Sequence, residues 1–421
     1  MGSTIRKTVL DNGVRILTES VDDLRSAALS IWVDVGSRDE GADEQGICHF
    51  IEHMMFKGTD RLSAREIAER IDAIGGQLNA FTTKEQTCYY ARVLGEHVPD
   101  AVDLLADMLL ASRMDPADVA KEQGVILEEI RMYEDTPDEL IHDLAARAYL
   151  GRHPAGRAVL GTRESVQSFT REQLQEFVRR HYTGRRLVVA AAGKVDHDRL
   201  VEQIARHFGG LPAGDVPHRG APVQTDYRWL VRSRKTEQAH ICLTAPGIRA
   251  NSPDKWTMLI LDTVLGGGVS SRLFQELREE RGWVYSTYSY HTAFADVGYF
   301  TVYAGASPDR APAVLELVER QLEALARSGI TEAELRRAQE HLKGSILLSM
   351  ESMSYRANRL ARAELSGEPY LAPDELIACI ESVRCEQVHE LAARLFVPDA
   401  YAYAAIGPVP WKTRRRLAAA G

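Results

Sequence analysis

Two histidines four residues apart, with a glutamate between them, can hold and use one metal ion from a single helix face. The segment His49-Phe50-Ile51-Glu52-His53 supplies that set. On an α-helix, positions four apart lie roughly 40° from each other around the axis, so both imidazoles can reach one point while Glu52 stands beside it. The order inverts the H-E-x-x-H zinc pattern, in which the glutamate is the general base. Catalytic zinc takes three protein ligands and leaves its fourth place to water, so a third ligand is still required.

Candidates for that ligand stand in Glu122-Gln123-Gly124-Val125-Ile126-Leu127-Glu128-Glu129-Ile130, where Glu122 and Glu129 are seven residues apart and share a helix face. Here the sequence resembles the pitrilysin/insulysin family of metallopeptidases, particularly its short-chain branch similar to mitochondrial processing peptidase. In that family the zinc-binding glutamate stands seventy-six positions after the second histidine, which falls on Glu129 rather than Glu128. The resemblance implies one zinc per chain, held by His49, His53 and Glu129, with Glu52 as base. It also implies that Glu122 orients a ligating histidine from behind.

The elements that must position these residues can be read from pattern. Thr8 to Thr18 reads as a hairpin turning at Asp11-Asn12-Gly13, and Ala27 to Val35 as a strand. Residues from about Glu44 to Phe56 are helical by pattern. Ser63-Ala64-Arg65-Glu66 is a capping box opening a helix that ends at Gly75-Gly76. Strands are expected at Gln77 to Thr83 and Gln86 to Val93, and Asp115-Pro116 opens a long helix running past Glu129. The family resemblance implies that extended peptides add to the edge strand containing Asn79, Ala80 and Phe81.

The chain repeats itself. Glu172-Gln173-Leu174 through Gly193-Lys194-Val195 returns without a gap as Glu386-Gln387-Val388 through Gly407-Pro408-Val409, an offset of 214 residues. Each copy reads as a helix followed by a strand of small apolar residues stopped by glycine. Setting Phe56-Lys57-Gly58 against Leu265-Gly266-Gly267 puts Met258 opposite His49, Leu261 opposite Glu52 and Asp262 opposite His53. The second copy therefore has no metal motif. It carries instead a glycine run, Leu265-Gly266-Gly267-Gly268, which lacks the G-K-[ST] ending of a phosphate loop. The stretch from Leu265 to Ser286 resembles the family's C-terminal signature, which implies that Arg278 and Tyr285 contact the substrate carbonyl.

These readings give an α+β chain of two homologous domains, each a mostly antiparallel sheet packed with helices. The expected boundaries are a zinc-binding domain at 1–212, a proline-bearing linker at 213–226 and a metal-free domain at 227–421. The resemblance implies a clam-shell around a peptide cavity. It also implies a homodimer, or a heterodimer with an inactive homologue, because longer family members carry four such domains. The acidic residues Glu139 and Asp143 match positions that the processing-peptidase branch uses to hold a substrate arginine, so a basic residue near the cleaved bond is expected.

Composition bounds the remainder. At 421 residues and 45% hydrophobic the chain can form more than one ordinary core. A net charge of −9 disfavours a nucleic-acid partner. Five scattered cysteines without C-x-x-C spacing argue for packing rather than disulfides or thiolate zinc. No apolar run suits a membrane span and the opening residues do not resemble a signal sequence, so a cytoplasmic location is expected. Two rival functions follow from the same residues: a non-catalytic or substrate-holding subunit of a processing-peptidase-like complex, and a zinc hydrolase acting on something other than peptides.

Overall fold

The computed structural model describes residues 4–21, 23–220 and 229–409. They form two compact α+β units. The first has a six-stranded sheet in the order β1-β2-β6-β3-β5-β4, built from β1 (Thr4–Val9), β2 (Arg15–Ser20), β3 (Ser26–Val33), β4 (Gln77–Thr82), β5 (Thr87–Leu94) and β6 (Leu187–Gly193). The expected hairpin is the antiparallel β1–β2 pair, and β6 runs parallel to β2 and antiparallel to β3. The second has a sheet in the order β7-β11-β8-β10-β9, built from β7 (Trp229–Arg232), β8 (Ala239–Pro246), β9 (Val284–Ala293), β10 (Gly298–Ala306) and β11 (Ala402–Ile406). There β11 runs parallel to β7 and antiparallel to β8, so the sequence repeat is a repeat of topology.

In both copies the repeated strand is central, and every residue of β6 and of β11 is buried. Small side chains suit this place because both faces of the strand are covered. On one face of the first sheet lies the main core. It is formed with α1 (Ile47–Met54), α2 (Ala64–Ala73), α3 (Val98–Ala111) and α4 (Pro116–Glu134). On the other face, Leu17, Trp32, Cys88, Val188 and Ala190 meet Leu360 and Ala361, while Ala28 and Ala192 meet Ala357.

Those last partners belong to the helix Met353–Ser366, far along the chain. Conversely α5 (Pro137–Leu150), from the early part of the chain, lays Leu140, Ile141, Leu144 and Ala145 on Cys242, Tyr303, Ala404 and Ile406 of the second sheet. The compact units are accordingly discontinuous: Met132–Arg157 groups with the second and Leu348–Tyr370 with the first. A single cut at 213–226 does not describe this exchange, although one passage between units, at His218–Arg219, falls within it. Residues 213–220 have no regular structure, and the remainder of that stretch, 221–226, lies outside the described residues.

The helix Met353–Ser366 is fixed by charge as well as by apolar burial. Glu19 on β2 is 1% exposed, and its carboxylate receives the Arg356 guanidinium, with Arg359 4.0 Å away. Removing one member of a buried ion pair leaves the others uncompensated, at a cost of about 3–5 kcal/mol. Glu19→Ala should therefore lower the unfolding free energy, read from denaturant titration, by that order. A loss below about 1 kcal/mol, the size of an exposed pair, would show that the helix is held by packing alone.

Candidate metal centre

The face of α1 that carries chemistry is set by the face that does not. Ile47, Phe50, Ile51 and Met54 are all fully buried, at the i, i+3, i+4, i+7 spacing of one helix stripe. His49, Glu52 and His53 form the opposite stripe. The helix is shorter than the Glu44 to Phe56 expected from pattern, because Gly46 takes a left-handed φ of +91° and its turn sets the start. A Cβ at Gly46 would meet Leu160 O at 2.7 Å and Gly161 Cα at 2.8 Å, so only glycine fits there. The first amides are capped from a distance: Glu40, 4% exposed, accepts from Gly46 N at 2.8 Å and Cys48 N at 3.0 Å. A carboxylate at a helix N-terminus both satisfies free N–H groups and meets the positive end of the helix dipole.

α4 presents Val119, Glu122, Ile126 and Ile130 as its buried stripe. Glu122 lies in that stripe at 2% exposure because both of its oxygens are answered. His53 Nδ1 lies 2.8 Å from Oε1, and Lys57 Nζ lies 2.7 Å from Oε2. Burial alone would raise the Glu122 carboxyl, but the hydrogen bonds and charges of His53 and Lys57 outweigh it and hold the group below its ordinary range. An ionised Glu122 makes His53 the donor through Nδ1 and leaves Nε2 with a free lone pair.

That Nε2 points to where two other donors converge. Glu129 Oε2 lies 3.7 Å from His53 Nε2 and 3.7 Å from His49 Nε2. One ligand atom from each of the three residues lies within 4.8 Å of the others. Separations of 3.7 Å are too long for hydrogen bonds but close to the ~3.3–3.5 Å edge of a tetrahedral site with bonds of about 2.0–2.1 Å. The residues therefore fit a zinc-sized cation, and His49 Nδ1, buried without a hydrogen-bond partner among the described residues, shows the cost accepted to aim that ring. Burial, and then the neighbouring His53, push His49 down to about 3, so it is a neutral imidazole with a lone pair to give. For His53 burial pulls downward too, but the Glu122 bond and the charges of Glu122, Glu129 and Glu52 prevail, and it sits above its ordinary value.

Glu52 completes the cluster. Its Oε2 accepts a 2.6 Å hydrogen bond from Thr82 Oγ1, at the end of β4. Burial raises its pKa, with Thr82 and His53 opposing and Glu129 reinforcing the rise. A raised carboxylate is a stronger base than an exposed one, which suits proton transfer near neutral pH. Thr82 is a residue that sequence reading passed over, and no local signal marks which face of the strand it takes. Lys57 was also passed over, although its place four residues after His53 is a readable hint. Burial pushes the Glu129 carboxyl up, His53 opposing and Glu122 adding to the rise.

Asn79, Ala80 and Phe81 lie on β4, the outermost strand of its sheet among the described residues. Ala80 packs into the core beneath α1, on the same side as Thr82. Asn79 and Phe81 take the other face, and Asn79 Oδ1 accepts from Ala80 N at 2.8 Å. The remaining sequence candidates belong to the second unit. Arg278 lies in a π-helix, Phe274–Glu280, with its guanidinium 5.3 Å from the ring of Tyr285, which is 73% exposed at the start of β9. Glu139 and Asp143 are on α5 but are not equivalent. Asp143 is half-buried and hydrogen-bonded to Tyr133, whose hydroxyl also lies 3.2 Å from the carbonyl of the exposed Glu139. In the second unit Met258 and Leu261 are buried, and Asp262 hydrogen-bonds Ser289 in place of any ligand set. All five cysteines are free, three of them buried, and among the described residues no helix is long and apolar enough to cross a membrane.

Residues 15–163 match the family described as Insulinase (Peptidase family M16), and residues 168–342 match the one described as Peptidase M16 inactive domain. A protein of Bacillus subtilis called an uncharacterized zinc protease is 42% identical, over 96% of this chain and 98% of its own. One of Mycobacterium tuberculosis bearing the same description is 45% identical, over 96% and 93%. Among solved structures, a protease from Helicobacter pylori superimposes with a TM-score of 0.89 at 21% identity, over 96% of this chain and 100% of that one. A peptidase M16 inactive domain from Pseudomonas fluorescens gives 0.90 at 21%, over 97% and 99%. With relatives of this identity over nearly its whole length, the chain belongs to peptidase family M16, the pitrilysin and insulysin family, in its short bacterial form.

Proposed function

We propose that this chain is a zinc-dependent endopeptidase acting on short unfolded peptides, with His49, His53 and Glu129 holding one zinc ion. The observation that carries the reading is the convergence of those three donors, unbonded to each other, beside a Glu52 of raised basicity. Zinc in that place supplies Lewis-acid polarisation of a carbonyl and makes water a nucleophile near neutral pH. The chain's own part follows from its geometry. Thr82 holds one oxygen of Glu52, leaving the other to take a proton from the attacking water and pass it to the departing amine. Glu122 keeps the His53 ring turned so that Nε2 faces Glu129.

An extended peptide adds to β4, whose outer edge is unpaired within its sheet and whose end carries Thr82. Arg278 and Tyr285 are assigned to the substrate carbonyl, where donors fixed in advance meet the charge that develops on oxygen. Their exposure and mutual stacking support that role. Glu139, with Asp143 behind it, is assigned to a basic substrate residue. By the family resemblance the working form is a homodimer, or a heterodimer with an inactive homologue; a cytoplasmic location is proposed from the sequence, which carries no apolar run suited to a membrane span. The description of the second matched region as an inactive domain favours another reading, a non-catalytic subunit. That description coincides with the half in which Met258 and Asp262 stand in place of the two histidines and Leu261 in place of Glu52, whereas the metal constellation lies in the half matching Insulinase.

Glu52→Gln should retain about one zinc per chain while losing about 10²–10⁴-fold in hydrolysis of unstructured peptides, measured by metal analysis and turnover on one preparation. Zinc lost together with activity, or activity retained, contradicts the assignment. Glu122→Gln should weaken zinc binding by about 10- to 100-fold in a chelator competition. In the wild type, lowering the pH through the raised His53 value protonates a ligand, so affinity should fall there, while His49, neutral to about pH 3, contributes nothing to that fall. A flat affinity across that range counts against His53 as a ligand. Arg278→Ala should cut kcat by about 10²-fold with zinc content unchanged, Tyr285→Phe acting in the same direction. Glu139→Gln with Asp143→Asn should reduce any preference for arginine over alanine near the cleaved bond. A wild-type rate in the first variant, or unchanged selectivity in the last, removes those residues from the mechanism.

A further inference from the structure

The sheet face turned away from the metal ligands holds a second feature. The helix Met353–Ser366 packs over β6, β3 and β2, and beside it, over the outer strands, a cavity of about 270 Å³ remains. Its lining includes Gln77 and Phe81 from β4, Tyr90 and Arg92 from β5, and Ser354 and Asn358 from the helix. Arg92 is the one charged residue of that lining, which contains no carboxylate. It is exposed and makes no hydrogen bond or ion pair among the described residues. The unanswered guanidinium and the amide side chains of Gln77 and Asn358 in the same lining are donors that suit an anion with several lone pairs.

We propose that this cavity is a side-chain subsite for a glutamate or aspartate of the bound peptide, with Arg92 as its specificity-determining residue. The proposal rests on the strand-addition reading given above. Side chains of a strand alternate between faces, and on β4 Ala80 and Thr82 face the metal side while Gln77 and Phe81 line the cavity. A peptide added beyond β4 therefore sends every second side chain toward the cavity. Arg92 pairs with Gln77 across β4–β5, so it stands about two strand spacings, ~10 Å, from the added strand. Arginine and glutamate side chains together span that gap, and aspartate spans it less well. The other face offers no unpaired cation of this kind, because Lys57 there is paired with Glu122. An acidic residue of the substrate is thereby favoured at positions of one parity.

The test is a peptide series in which a single glutamate, glutamine or lysine is moved through each position around the cleaved bond. Turnover is measured with wild type, Arg92→Gln, Arg92→Lys and Arg92→Glu, and binding by anisotropy with Glu52→Gln. Glutamate should exceed glutamine by about tenfold in kcat/KM at positions of one parity only. That ratio should fall to about one in Arg92→Gln, persist in part in Arg92→Lys, and give way to a lysine preference in Arg92→Glu. If no position separates glutamate from glutamine, or Arg92→Glu keeps the wild-type profile, the subsite is wrong and peptide hydrolysis stands. If no peptide is cleaved or bound, the strand-addition reading fails and takes the subsite with it.

Discussion

A helix of eight residues has too few internal hydrogen bonds to hold itself in water, and the metal centre depends on one. α1 exists because Glu40 caps its amides, Gly46 and Gly161 let two backbones meet at its start, and four of its side chains are sealed in the core. Given that anchoring, His49, Glu52 and His53 have no freedom over which way to face. Each fully buried apolar side chain contributes about 1.5–3 kcal/mol, enough for four of them to outweigh a His49 Nδ1 without a partner among the described residues. The unsatisfied polar atom at one ligand is offset by burial directly beneath it.

The second constraint is electrostatic. Three carboxylates and two imidazoles crowd one place, and the structure sorts them by environment rather than by type. Glu122 is buried yet kept ionised by His53 and Lys57, whereas burial raises Glu52 and Glu129. Burial holds His49 far below the ordinary histidine value while Glu122 and its neighbours hold His53 above it, although they are four residues apart on one helix. The second unit shows the same scaffold without this sorting. At the place corresponding to His53, Asp262 has one serine partner and burial pushes it up to about 6.

Much of the site was legible in the sequence because it is local or periodic. The His49 to His53 spacing and the seven-residue step from Glu122 to Glu129 are helix arithmetic, and the capping box at Ser63 and Glu66 formed as read. The repeat pointed to two like sheets because its strand, at β6 and β11, is central in each. What was not legible depends on contacts distant in sequence. Nothing local says that Glu40 caps a helix beginning at Ile47, or that Thr82 rather than Thr83 meets Glu52. The exchange of α5 and the helix Met353–Ser366 escapes for the same reason. Their apolar stripes show that each must pack on a sheet, but both sheets present small, buried residues for the purpose.

The central claim is that these three side chains are metal ligands and not a chance convergence of polar groups. Zinc-edge X-ray absorption on the purified protein tests it most directly. The account predicts a first shell of light atoms only, with two imidazole nitrogens at about 2.0–2.1 Å and carboxylate oxygen at about 2.0–2.2 Å. Glu129→Gln should alter the oxygen contribution and leave the imidazole scattering in place. A sulfur shell at about 2.3 Å, or a spectrum without imidazole scattering, would put the zinc elsewhere and contradict the account.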